Sequence, residues 1–151
     1  MNDVRLKNPA SLLPEANDGI QSIIKAVYKA RVPRETLELV HLRVSQINGC
    51  YVCLDYGMQQ AKKAGEKDER LYSLPVWREA PHFSEAERAA LALAEAETRI
   101  ADRPEAVPDE VWNEAAKHFD EPGLAALVMW IALTNTFNRL NVTTRQVAPT
   151  W

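Results

Sequence analysis

The chain has 151 residues, 46% of them hydrophobic and 26% charged, which fits one globular domain and excludes a disordered, collagenous or membrane-embedded chain. Lysine and arginine number 18 against 21 acidic residues, and the formal charge of −3 argues against nucleic acid as a partner. The longest apolar stretch, Leu124 to Leu133, is too short to cross a bilayer core of about 30 Å. The opening residues Met1, Asn2, Asp3, Val4 and Arg5 carry no signal-peptide pattern, so a cytoplasmic address without a membrane partner is expected.

No alternating apolar and polar run reaches strand length, and no internal repeat or linker divides the chain. Residues 1–151 are therefore expected to form a single all-α domain, a bundle of about six to seven helices. The first helix opens near Pro14 and runs to about Ala30, with Ile20, Ile23, Ile24 and Val27 on one face. A second begins after Pro33 and ends before Gly49; a third starts at the cysteines and stops at Gly65, which suits a left-handed cap. A short turn over Lys67 to Leu74 follows. Ser84 with Glu87 three residues on forms a capping box, predicting a helix from Ser84 to about Ile100. Pro108 opens the next, to Phe119. The last spans Pro122 to about Thr144 and is apolar nearly all round between Leu124 and Leu133, as expected of a buried central helix or one shared with another subunit.

The second helix carries most of the chemistry that periodicity can reveal. Leu37, Val40, Val44 and Ile47 form one stripe and Leu39 and Leu42 another; between them Glu38, His41 and Ser45 cluster within about 60°. A glutamate among leucines loses hydration, which raises its pKa toward the range useful for proton transfer, so Glu38 is a candidate base. The alternative is an ordinary ion pair with a basic group such as Arg43 of a neighbouring chain or Arg139, or a side chain more exposed than the helical wheel implies. His41 is either a structural histidine or part of the same site, and His82 and His118 read as loop or surface residues.

The only cysteines, Cys50 and Cys53, follow the helix-stop signal Asn48-Gly49 and open the third helix. A helix N-terminus stabilises a thiolate, and two sulfurs one turn apart can close into a disulfide, so one can attack an oxidant and the other resolve the product. Zinc binding is a competing reading, although a structural site needs four ligands and there is one cysteine pair. Two buried structural thiols are a third.

The stretch from Glu38 to Asp55, ELVHLRVSQINGCYVCLD, resembles the core motif of the alkyl hydroperoxidase D-like branch of the carboxymuconolactone decarboxylase family. Gln59 to Gly65, Trp77 to Ala80 with Phe83 to Glu85 and Glu87 to Leu91, and Asn138 to Asn141 are similar to further segments of that family. The resemblance implies a helical fold, an obligate homo-oligomer (trimer or hexamer), and a thiol-dependent peroxidase that reduces a hydroperoxide and is reset by a thiol or dithiol partner. No cofactor or bound metal is expected. It also implies roles: Cys53 attacks the peroxide, Cys50 resolves the sulfenic acid, and Glu38, twelve residues before Cys50, serves a proton relay.

In one respect the chain departs from that pattern. The histidine usually found four residues after the second cysteine is Gly57, and a histidine between the cysteines in some members is Val52. His41 is expected to substitute in part, or a water over Gly57 to carry the proton. Without the usual histidine at position 57 the same cysteine pair also fits a disulfide oxidoreductase acting on a disulfide substrate; a lyase acting on a lactone acid is the alternative enzyme class, although the cysteine pair argues against it. An oligomer that senses oxidants or binds a metal is the non-enzymatic alternative.

Overall fold

The computed structural model describes residues 3–148, so Met1 and Asn2, where the N-terminal reading begins, lie outside it. Eight α-helices follow in order: α1 (Pro9–Leu12), α2 (Pro14–Lys29), α3 (Arg34–Asn48), α4 (Tyr51–Lys63), α5 (Asp68–Ser73), α6 (Glu85–Thr98), α7 (Asp109–His118) and α8 (Glu121–Thr144). Short 3₁₀ turns cover Leu74–Val76 and Ile100–Asp102, and no strand occurs among the described residues. None of the described helices is long and apolar enough to cross a membrane.

Local chemistry accounts for the boundaries. Prolines in the first turn start α1, α2 and α8 without sacrificing a helical hydrogen bond. The expected capping box is present at α6, Ser84 Oγ accepting from the Glu87 N–H and Glu87 accepting from the Ser84 N–H. Past α4 the backbone turns left-handed at Gly65, with φ +84°. The helix count exceeds expectation for two local reasons. Asn8 caps a four-residue helix, its Oδ1 accepting from the Ala10 N–H at 3.0 Å. The segment expected as a short turn winds into α5, with Asp68 and Glu69 at its positive end.

Helix α3 is the hub, in contact with α4, α6 and α8. Its two apolar stripes enter separate cores, as the periodicity predicts. Leu37, Val40 and Val44 pack with Leu93, Leu127 and Ile131. Leu39 and Leu42 pack with Leu71, Leu74, Trp77 and Leu91. Arg88 gathers the connection before α6, donating to the carbonyls of Trp77, Arg78, Ala80 and Phe83. Helix α8 buries Leu124, Leu127 and Ile131 but leaves an apolar edge, Ala125 and Met129, exposed on the single chain. The N-terminal segment runs back along its end: the Arg5 N–H donates to the Thr144 carbonyl at 2.9 Å and Gln146 Nε2 to the Leu6 carbonyl at 2.7 Å.

Candidate active site

The turn at Gly49 delivers the cysteines to the side of α3 that carries Glu38 and His41. Cys50 is the N-cap of α4 and its sulfur accepts from the Cys53 N–H at 3.4 Å, a long contact suited to sulfur. The two sulfurs are joined as a disulfide. Their surroundings differ. Cys50 is 1% exposed and sealed in the protein, whereas Cys53, at 4%, forms part of the wall of a cavity of about 610 Å³. Glu38 and His41 line the same cavity, with Val52 beside them. Ser45, the third polar group of the α3 edge, points elsewhere and accepts from Asn138 Nδ2 at 3.0 Å.

Glu38 is 8% exposed and its nearest cation is Arg34, at 3.7 Å on the preceding turn, with a largely solvated side chain. Burial pushes the Glu38 carboxyl above its ordinary value, and the arginine offsets this only in part. The partners expected in the alternative reading are engaged elsewhere: Arg43 pairs with Glu95 at 2.7 Å, and Arg139 donates to Asn135. His41 Nε2 lies 3.1 Å from the Cys53 carbonyl oxygen. A carbonyl only accepts, so Nε2 carries the hydrogen and Nδ1 is left with a lone pair, buried and without a hydrogen-bond partner among the described residues. Burial holds His41 below its ordinary pKa, keeping the ring neutral near neutrality.

The His41 ring stands directly over Gly57. A Cβ at position 57 would lie 2.8 Å from His41 Cδ2 and 2.8 Å from Leu42 Cδ2. The room expected for a water over Gly57 is therefore filled by side chains of α3. His82 and His118 lie at the surface, as expected, the latter against Glu114 at 3.3 Å. Among the described residues, no group of three His, Cys, Asp or Glu side chains could hold a metal ion.

Several wall residues escaped the periodicity argument because they come from distant helices. Tyr28 of α2 and Trp130 of α8 pack at 5.8 Å between ring centroids, and Trp130 anchors its indole by donating to the Leu37 carbonyl at 2.8 Å. Phe137 adds a third ring. Asn141 of α8 donates to Cys53 Sγ at 3.3 Å and accepts from Asn8 Nδ2 at 3.0 Å. The available signal was the spacing of Asn135, Asn138 and Asn141, three residues apart along the last turns of α8, a polar stripe that had to meet polar partners.

Residues 14–96, more than half of the chain, match the carboxymuconolactone decarboxylase family. The chain belongs to that family. The uncharacterized protein YdfG of Bacillus subtilis is 36% identical over 131 residues, covering 87% of this chain and 88% of its own. Among solved structures, ATU0492 of Agrobacterium tumefaciens superposes with a TM-score of 0.89 at 30% identity, over 99% of this chain and 100% of its own. It is described as a protein of unknown function with a suggested antioxidant-defence role as AhpD. The debrominase Bmp8, solved with 2,3,4-tribromopyrrole, shares the fold at a TM-score of 0.77 and 18% identity, covering 93% of this chain and 74% of its own. This member of the family thus has an AhpD-like helical fold with a disulfide-forming cysteine pair beside a cavity.

Proposed function

We propose that the protein is a thiol-dependent peroxidase in which Cys53 attacks and Cys50 resolves. The observation that carries this reading is the asymmetry of the pair: Cys53 shares a cavity with Glu38 and His41, while Cys50 is sealed from it. In the reduced enzyme the Cys53 thiol proton passes to Glu38 by way of His41. The thiolate then attacks the terminal oxygen of a hydroperoxide, forming an S–O bond as the O–O bond breaks, and Glu38 returns the proton to the departing alkoxide to give an alcohol. Cys50 attacks the resulting sulfenic acid, the S–S bond forms, and hydroxide leaves as water with the Cys50 proton. Two thiols are oxidised and one peroxide is reduced; an external thiol or dithiol reverses the disulfide.

His41 completes the relay in place of the histidine absent at position 57. Two observations support that role: its ring occupies the volume a side chain at 57 would need, and its Nδ1 retains a free lone pair. The proposal extends to a homo-oligomer, supported by the apolar edge that α8 leaves exposed; light scattering at the mass of one chain would overturn that part.

The test is a thiol titration. One equivalent of cumene hydroperoxide should remove two free thiols from the reduced protein, and dithiothreitol should restore them. Cys53→Ser should abolish the reaction, and Cys50→Ser should stop at a sulfenic acid on Cys53 that dimedone traps. Unchanged thiols, or a sulfenic acid on Cys50, would refute the assignment.

A further inference from the structure

The amide beside the Cys53 sulfur has a fixed polarity. The Ala10 N–H is a donor only, so the Asn8 atom that accepts from it at 3.0 Å must be Oδ1. Asn8 Nδ2 therefore faces α8, where it donates to Asn141 Oδ1 at 3.0 Å. That contact turns the Asn141 NH₂ group toward Cys53, with Nδ2 3.3 Å from Sγ. A backbone N–H thus determines, through two side-chain amides in series, that the sulfur meets a donor rather than an oxygen. The segment bearing Asn8 is itself held against α8 by the bonds of Arg5 and Leu6 to Thr144 and Gln146.

We infer that Asn141 is a catalytic residue that donates to the Cys53 sulfur and stabilises it as a thiolate, and that Asn8 is the positioning residue that fixes the orientation of its amide. A disulfide sulfur is a weak acceptor and a thiolate a strong one, so a donor already in place favours the charged, attacking form. The inference deepens the peroxidase reading, on which it depends only for its consequence in turnover, because thiolate chemistry can be measured without peroxide.

The experiment follows the pH dependence of iodoacetamide alkylation of Cys53 in full-length Cys50→Ser protein, with circular dichroism to confirm helical content. Asn141→Ala should move the profile to higher pH and slow alkylation near neutrality about tenfold, as loss of one hydrogen bond to a charged group predicts. Asn8→Asp keeps the oxygen that caps Ala10 but removes the donor to Asn141, so the Asn141 amide turns and presents its oxygen to the sulfur. Alkylation should slow in the same direction, by at least about tenfold, because an oxygen then faces the thiolate. If Asn141→Ala fails to fold, Asn8→Asp decides. A profile superimposable on that of the parent for a folded variant overturns the inference. A profile that moves while cumene hydroperoxide consumes no thiol in the parent sinks the peroxidase reading and leaves this one standing.

Discussion

Two buried glutamates on neighbouring helices meet opposite fates. Glu95 of α6 receives three donors: Arg43 Nε at 2.7 Å, Arg78 Nη1 at 2.7 Å and Trp77 Nε1 at 2.9 Å. Burial alone would raise its pKa, but those hydrogen bonds together hold the carboxyl below its ordinary value. Glu38 of α3 has one partner at 3.7 Å, and burial prevails. Similar burial therefore leaves the carboxyl pKa lowered in one place and raised in the other, and the number of donors decides which. The charge of Glu95 is spent on tying α3, α6 and the turn before α6 together. The Glu38 carboxyl, which burial makes slower to give up its proton, lines a cavity with the Cys53 sulfur in its wall.

That contrast can be broken most forcefully at Glu95. Glu95→Ala leaves the mostly buried Arg43 without its carboxylate and should cost about 3–5 kcal/mol in urea denaturation. The contribution of Glu95 should be present above pH 4.5 and fade as pH falls through its lowered folded value. Glu38→Gln should do the reverse: little loss of stability, but turnover with cumene hydroperoxide lower by about a hundredfold. The folded protein binds the Glu38 proton more tightly than the unfolded chain, so its contribution to stability declines as pH rises above 4.5, and parental turnover climbs over the same range as the carboxylate appears. A pH profile of turnover unchanged in Glu38→Gln would remove the acid from the mechanism.

The smallest effect belongs to a third acid. Among the described residues the Glu97 carboxyl has no hydrogen-bonding or ionic partner, and burial pushes it up to about 7. Folded protein should lose stability as pH rises from 4.5 to about 7 on this account, and Glu97→Gln should remain flat. Scanning calorimetry should find the variant melting about 5 °C higher than the parent at pH 8, after allowing for solvent screening of this partly exposed group, and level with it at pH 4.

What the sequence disclosed followed from locality. Pro14, Pro33, Gly49, Gly65 and the Ser84–Glu87 pair placed helix ends because capping acts within a few residues. The division of α3 between two cores and the edge holding Glu38 and His41 followed from the helical period, which needs no knowledge of neighbours. The cavity was hidden because Tyr28, Trp130, Phe137 and Asn141 reach it from helices far away in the chain. Gly57 was the most instructive case. The missing side chain was legible, but what filled its place was a matter of how closely α3 and α4 approach, a distance that no one-dimensional pattern contains.

The interlock of His41 and Gly57 also constrains how such a site can change over generations. The two positions share one volume, so a side chain at 57 requires both His41 and Leu42 to move or shrink, and a chain bearing all three would carry a clash of the kind that well-packed interiors reject. Substitution there is therefore coupled: a side chain at 57 and the present side chains of α3 cannot occupy that volume together.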